Sequence, residues 1–456
     1  ALENHDNYNT PASVSSDGKY MLYNKLKGMS DNRMYIIDME TGESHDLYPE
    51  GSFAQYGDTA WKPDSSGFFV TTDEDSEFEY VAYYDVATGK LTDVYHAEWD
   101  VSAVALSRDG KYLAMVVNAD GYGEFRIMDL DTGNLISAPR PPKGFIYTYA
   151  GMDWSPAGHK LLFSFSSGSR PVGLWVLDLD ADSVYAVTDS HIDGISKDEL
   201  VEPKLCEFHS FDGLRVPYWL YQAPGTAGKP GPVVLEIHGG PEGQEFPMYS
   251  PLIQYLAGQG FTVVAPNVRG SVGYGKKYHH LDDVEKRLDS VHDVACLVEH
   301  LIQTGVARPE SIAVMGASYG GYMTLASITN YPKLWAAAID TVGMSDLETF
   351  LENTAEYRRA HRESEYGSLA RDRETLRRVS PIHKVDQIEA PLMVIHGAND
   401  PRVPVSEADQ IVASLEKRGV AVKYLRYPDE GHGLTKLKNK LDCYPQVAAF
   451  LKEHLM

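Results

Sequence analysis

A serine hydroxyl is a poor nucleophile until a base takes its proton. Gly316-Ala317-Ser318-Tyr319-Gly320 is a G-x-S-x-G element. The apolar run Ser311–Met315 precedes it and the helix-like stretch Tyr322–Ala326 follows. A nucleophile elbow needs that strand-turn-helix setting, and its glycines leave room beside a strained serine. The base must be a histidine oriented by a carboxylate, and in this setting the chain order is serine, acid, histidine. Downstream, the run 392–396 leads into a loop carrying Asp400, and the run 422–427 leads into a Gly-flanked loop carrying His432. We therefore read Ser318 as nucleophile, His432 as general base and then acid, and Asp400 as its orienter. Asp429 is the rival acid, but it sits three residues from His432, so the loop would have to fold back on itself. Sixteen histidines compete for the base role. His396 lies within a strand and reads as a core or loop anchor, and His238 as shaping a Gly-Gly turn. His292, His300, His361 and His383 fall on expected helices or their ends, where a solvated role is the default.

Acyl transfer also needs donors aimed at the developing oxyanion. One is the N–H after the nucleophile, that of Tyr319. The second comes from the loop after an early strand, and His238-Gly239-Gly240-Pro241 fits that place, with Gly240 supplying the N–H. Glu242, two residues on, offers a carboxylate to a substrate's free amino group. The charged segment Tyr357–Arg378 reads as a pair of solvated helices beside the site. The three cysteines, Cys206, Cys296 and Cys443, fit neither a metal spacing nor a disulfide framework. No metal or organic cofactor is implied.

The elements that must hold these groups alternate. Strands are expected at 232–238, 261–266, 311–316, 336–340, 392–396 and 422–427, with helices at 283–304, 319–330, 405–418 and 443–455. Near-continuous apolar strands separated by helices mean a mostly parallel sheet buried on both faces. The first half obeys another period. A polar turn recurs as Ser-Ser-Asp-Gly-Lys at 15–19, Pro-Asp-Ser-Ser-Gly at 63–67, Ser-Arg-Asp-Gly-Lys at 107–111 and Ser-Pro-Ala-Gly-His-Lys at 155–160. Each is followed by a second phrase: Asp-Met-Glu-Thr-Gly at 38–42, Asp-Val-Ala-Thr-Gly at 85–89, Asp-Leu-Asp-Thr-Gly at 129–133, and a degenerate Asp-Leu-Asp-Ala-Asp at 178–182. Asp-x-x-Thr-Gly is hairpin-turn chemistry, with glycine at the positive-φ position. Four short strands per repeat of about 45 residues is the signature of a β-propeller blade. A β-sandwich would not need the same two phrases in fixed order. Four blades mean either a small closed ring or a ring whose other blades lie outside this sequence. The expected domains are a β-propeller over 1–192 and an α/β-hydrolase over 200–456, with a polar linker at 191–200.

At this point the residues resemble a known family. His-Gly-Gly-Pro-Glu-Gly-Gln (238–244), Asn-Val-Arg-Gly-Ser-Val-Gly-Tyr-Gly (267–275), Gly-Ala-Ser-Tyr-Gly-Gly-Tyr-Met-Thr (316–324), His-Gly-Ala-Asn-Asp-Pro-Arg-Val-Pro (396–404) and Glu-Gly-His-Gly (430–433) resemble the prolyl oligopeptidase family of serine peptidases, nearest its acylaminoacyl-peptidase-like branch. The resemblance implies an α/β-hydrolase capped by the propeller and acting on short peptides, with the same three catalytic residues. Two departures stand out. That family's propellers usually have seven or eight blades, and its frequent Trp-Gly pair after the Tyr274-Gly275 position is replaced here.

Lys plus Arg is 41 against 65 Asp plus Glu, a formal charge of −24. That field repels phosphate backbones and anionic lipid, so neither nucleic acid nor membrane is an expected partner. No apolar run approaches the roughly 18 residues of a membrane span. The opening Ala-Leu-Glu-Asn-His shows neither a basic nor an apolar signal segment. Read as reduced thiols, the cysteines suit the cytoplasm. The leading expectation is a peptidase of short peptides working through an acyl-enzyme. A carboxylesterase or amidase would use the same triad, and a binding module with an inactive hydrolase is the third reading. Sheet edges left open by a four-blade array would favour a homo-oligomer.

Overall fold

The computed structural model describes residues 9–28, 30–47, 51, 53–226 and 228–456. Contacts divide the chain into two units. The first runs to Lys197 and includes Phe246–Tyr249 and Gly273–Lys277; the second holds Asp198–Glu245, Ser250–Val272 and Tyr278–Met456.

In the first unit the repeated phrases become repeated turns. The first phrase joins Asn9–Val14 to Tyr20–Leu26 and Val101–Leu106 to Tyr112–Ala119. Its serine and aspartate interlock: Ser15 Oγ donates to Asp17 Oδ1 and Ser107 Oγ to Asp109 Oδ1, each at 2.6 Å. The second phrase joins Asn32–Asp38 to Ser44–Asp46, Tyr80–Asp85 to Lys90–Tyr95, and Tyr122–Asp129 to Asn134–Ile136. There Asp38, Asp85 and Asp129 accept backbone N–H groups of their own turns, and a glycine follows in the left-handed region, as at Gly133 (φ 69°). The degenerate copy keeps the aspartate, with Asp178 accepting from Asp180 N and Ala181 N. Asp182 (φ 46°) replaces the glycine. One expected turn glycine is placed differently. Ser65 takes the positive φ of the second turn, and Gly67 opens the next strand against Tyr83 and Tyr84, where a side chain would strike them.

The result is four antiparallel sheets in chain order, three of four strands and the last of five. Apolar cores join successive sheets. Leu22, Met34 and Ile36 meet Phe68 and Val70; Phe69 and Val81 meet Leu113 and Met115; Ala105 and Phe125 meet Trp154 and Phe163. These are propeller blades. The far face of the fourth sheet is apolar and open: Val172 is 49% exposed and Val187 56%.

The second unit is built on one eight-stranded sheet. Its strands are β1 (Lys204–His209), β2 (Arg215–Tyr221), β3 (Gly231–Ile237), β4 (Thr262–Pro266), β5 (Ala307–Ala317), β6 (Ala337–Thr341), β7 (Leu392–Gly397) and β8 (Val422–Tyr427). The order is β1-β2-β4-β3-β5-β6-β7-β8. Strand β2 runs antiparallel to both its neighbours, β1 and β4, and the other pairings are parallel. The helices that matter for the site are α1 (Pro251–Gly258), α2 (Arg287–Gln303), α3 (Tyr319–Asn330), α4 (Glu356–Tyr366), α5 (Ser406–Lys417) and α6 (Leu437–Leu455). Val233, Leu235, Val314, Leu325 and Val394 are fully buried in one core, as a sheet covered on both faces requires. This is an α/β-hydrolase. Among the described residues, no helix is long and apolar enough to cross a membrane.

Candidate active site

The register levels the carboxyl ends of the central strands. Ala317 pairs with Thr341, Thr341 with Ile395, and Ile395 with Leu425. Ser318, Asp400 and His432 follow the ends of β5, β7 and β8, so all three emerge at one edge of the sheet, where groups in open parallel sheets act.

Ser318 adopts φ 60°, ψ −115° between β5 and α3. A residue with a Cβ holds that conformation only when its surroundings over-determine it. Here β5 is paired on both sides, the Ser318 N–H donates to Thr341 O at 2.9 Å, and Ser318 O accepts from Tyr322 N at 3.1 Å. The flanking glycines are obligatory. A Cβ on Gly320 would strike the Ile237 carbonyl, and one on Gly316 the Gly320 carbonyl.

His432 Nδ1 lies 2.7 Å from Asp400 Oδ2. The carboxylate only accepts, so Nδ1 carries the hydrogen and Nε2 keeps the lone pair that a general base needs. The Asp400 side chain is fully buried and that of His432 is 15% exposed. Burial alone would raise the Asp400 carboxyl, but bonds from His396, His432 and the Arg402 N–H outweigh it and hold the group well below the usual carboxylate range. Asp429 is engaged elsewhere, with Lys436 Nζ at 2.8 Å and Lys438 Nζ at 2.7 Å. Among the described residues, Ser318 Oγ makes no hydrogen bond. Base and nucleophile share an edge without that contact, a common state before substrate binds.

A Cβ on Gly239 would lie 3.5 Å from the Ser318 Cβ, so the His238–Glu242 loop passes beside the nucleophile. His238 shapes the loop through Gly239 O at 2.9 Å and Ser271 Oγ at 2.8 Å. Among the described residues, the Gly240 and Tyr319 N–H groups have no acceptor. Tyr319 opens α3, where helical N–H groups are unpaired by construction. The Glu242 carboxylate accepts from Arg362 Nη1 at 2.9 and 3.0 Å.

Residues 247–456 match the family model described as the prolyl oligopeptidase family. The chain is 36% identical over 232 residues to dipeptidyl peptidase family member 6 of Caenorhabditis elegans, covering 50% of this chain and 31% of that protein. It is 28% identical over 458 residues to dipeptidyl aminopeptidase BIII of Pseudoxanthomonas mexicana, covering 98% of this chain and 59% of that protein. The chain thus spans about a third to three-fifths of the length of these curated relatives. A puromycin-hydrolyzing peptidase of Mycobacterium tuberculosis superposes with a TM-score of 0.88 at 21% identity, covering 98% of this chain and 70% of that one. That likeness speaks for the fold alone.

Two side chains escaped the sequence reading, Arg362 and Arg287. His396, read from the sequence as a core or loop anchor, is fully buried, with Nε2 3.1 Å from Val403 O and 3.5 Å from Asp400 Oδ2, so it anchors the acid loop. Arg362 and Arg287 lie far along the chain from the loops they touch, and no local pattern announces them. His361, expected to be solvated, is buried on α4. The helices at 356–366 and 373–379 match the expected pair, but the first is not simply solvated: Glu365 and Tyr366 are buried too.

Proposed function

We propose that this chain is a serine hydrolase that cleaves short peptides through an acyl-enzyme, as an aminopeptidase or acylaminoacyl peptidase does. Residues 1–192 are then its β-propeller domain and 200–456 its catalytic domain. Ser318 Oγ attacks the scissile carbonyl while His432 Nε2 takes its proton. The Gly240 and Tyr319 N–H groups receive the oxyanion, and Asp400 holds the imidazole and balances its charge. The leaving amine takes the proton back from His432. Water then repeats the cycle on the acyl-enzyme, with His432 again as base. The observation that carries this reading is the His432–Asp400 hydrogen bond at the sheet edge where the Ser318 elbow emerges.

Peptide rather than simple ester substrates are supported by the names of the curated relatives, a dipeptidyl peptidase family member and a dipeptidyl aminopeptidase. Rates on aminoacyl-anilides and p-nitrophenyl esters test this. Turnover of the anilides supports a peptidase, and turnover of the esters alone makes the chain a carboxylesterase. Glu242 is the proposed contact for a substrate's free amino group. Glu242→Gln should then raise KM for free-amino substrates and leave N-acetylated ones unchanged; equal effects on both exclude it. The free thiols of Cys206, Cys296 and Cys443 support a cytoplasmic setting. The open apolar face of the fourth sheet supports self-association, which a monomer in light scattering would contradict.

A further inference from the structure

A buried arginine is costly unless its charge is paired and hydrogen-bonded. Arg287, at the start of α2, is fully buried. Its Nη1 donates to Asp282 Oδ2 and, at 3.0 Å, to the Tyr319 hydroxyl; its Nη2 donates to Glu365 O at 2.8 Å and Glu365 Oε1 at 2.5 Å. The guanidinium carbon lies 5.3 Å from the centre of the Tyr319 ring and 5.0 Å from that of Tyr366. The Tyr319 hydroxyl donates in turn to Asp282 Oδ2 at 3.0 Å. Asp282, Asp283 and Glu365 could by spacing hold a cation, but Arg287 already pairs with Asp282 and Glu365.

Helix α4 carries the other half of the arrangement. Residues 362, 365 and 366 share one helix face. Glu365 takes Arg287, while Arg362 Nη1 donates to Gly240 O at 2.9 Å and the Tyr366 hydroxyl to the same oxygen at 3.4 Å. One face of one helix therefore reaches both Gly240 and, through Arg287, Tyr319. Their backbone N–H groups are the two donors assigned above to the oxyanion. Oxyanion stabilisation depends on donors held at a fixed position before charge develops.

Resting on that assignment, we propose that α4 and Arg287 form a clasp that fixes the spacing of the two oxyanion donors, with Arg287 and Arg362 as positioning residues. Neither touches the reacting atoms. Each restrains a loop whose N–H does.

The test uses Tyr319→Phe, which removes one oxygen and leaves the backbone donor, and Arg362→Gln, which removes the grip on Gly240. Arg287→Met is a third variant, but it strands two buried carboxylates and can fail to fold. The readouts are kcat, KM, the affinity of a peptide boronate and the acid limb of the pH profile, on the full chain. Removing a whole oxyanion donor costs about 10²–10³ in kcat. A loosened donor should therefore cost about tenfold, with KM nearly unchanged, boronate affinity falling in step and the acid limb unmoved. Folded Tyr319→Phe and Arg362→Gln proteins with wild-type kcat and boronate affinity overturn the clasp. So does a loss confined to KM, or one that shifts the acid limb. A wild-type protein inert towards anilides and esters alike overturns the hydrolase reading itself, and the clasp with it.

Discussion

The repeated turn aspartates of the propeller unit and the buried charges of the hydrolase unit are placed in opposite ways. In the propeller unit the repeated aspartates each serve their own turn, and all but the buried Asp178 sit towards the surface. Asp17 is held below the usual carboxylate range first by the Ser15 hydroxyl and then by the Lys19 N–H; Asp38 and Asp85 are lowered by their own turns. In the hydrolase unit Asp282, Arg287, Asp293, Asp340, Glu365, His396 and Glu407 are buried. There, burial pushes the Asp340 carboxyl up to about 6 and the Glu407 carboxyl up to about 7. A repeated unit needs only turns and stacked apolar faces, which local sequence supplies. A reacting centre needs groups held against their solvation preference, and that takes contacts from distant parts of the chain.

The largest effect should follow from removing the one alcohol on which the chemistry turns. Ser318→Ala should lower kcat by roughly 10⁴–10⁶ with the fold intact; activity above that residue would take Ser318 out of the mechanism. Activity should also fall on acidification, because a protonated imidazole cannot accept the serine proton, and a flat profile from about pH 5 to 8 would contradict His432 as base. The propeller unit should respond in stability instead. Trp154 is 2% exposed between the third and fourth sheets and donates to Ala105 O at 3.0 Å. Trp154→Ala should cost about 3–5 kcal/mol. Hydrogen exchange should speed in those two sheets and stay slow in β3 and β5; equal loss of protection in both units would erase the contrast. A smaller change, Gly133→Ala, meets no neighbour within 4 Å but must hold φ 69°. It should cost about 1 kcal/mol from backbone strain alone, seen as a shift in the denaturation midpoint.

The smallest effects should differ in sign. Asp17 has a lowered folded-state pKa, so its contribution to stability is present above the unfolded value of about 4 and is lost as pH falls through the folded one. Asp340 has a raised one, so the folded state holds its proton more tightly. Its contribution is favourable at low pH and is lost as pH rises from about 4 through about 6. In thermal melts against pH, the stability of Asp17→Asn relative to wild type should fall as pH rises through the acid range. That of Asp340→Asn should rise between about pH 4 and 6. Parallel curves would show that the two environments do not differ as described.

Much of this was legible in the residues, and the reasons are local. The two turn phrases announce four blades because each aspartate bonds within its own turn, so a few residues suffice to recognise it. The elbow announces itself because only glycine fits beside β3 and α3. Asp400 and His432 could be picked because each follows an apolar strand. The antiparallel pair β1 and β2 went unread: β1 carries no buried run, and the buried run of β2 at 216–219 is interrupted by Pro217. Helix α6 begins at Leu437 rather than 443 and runs through Pro445. Arg287 and Arg362 were invisible for another reason. Their partners are set by the tertiary fold, and a charged residue on a polar stretch looks the same whether it ends in water or in the core.

The central claim is that Ser318 is an activated nucleophile. The most direct measurement is labelling of the folded chain with a fluorophosphonate, followed by peptide mass mapping. The account predicts one adduct on Ser318, lost in Ser318→Ala and slowed in His432→Ala. No adduct, or an adduct on another residue with Ser318 unmodified, would contradict it.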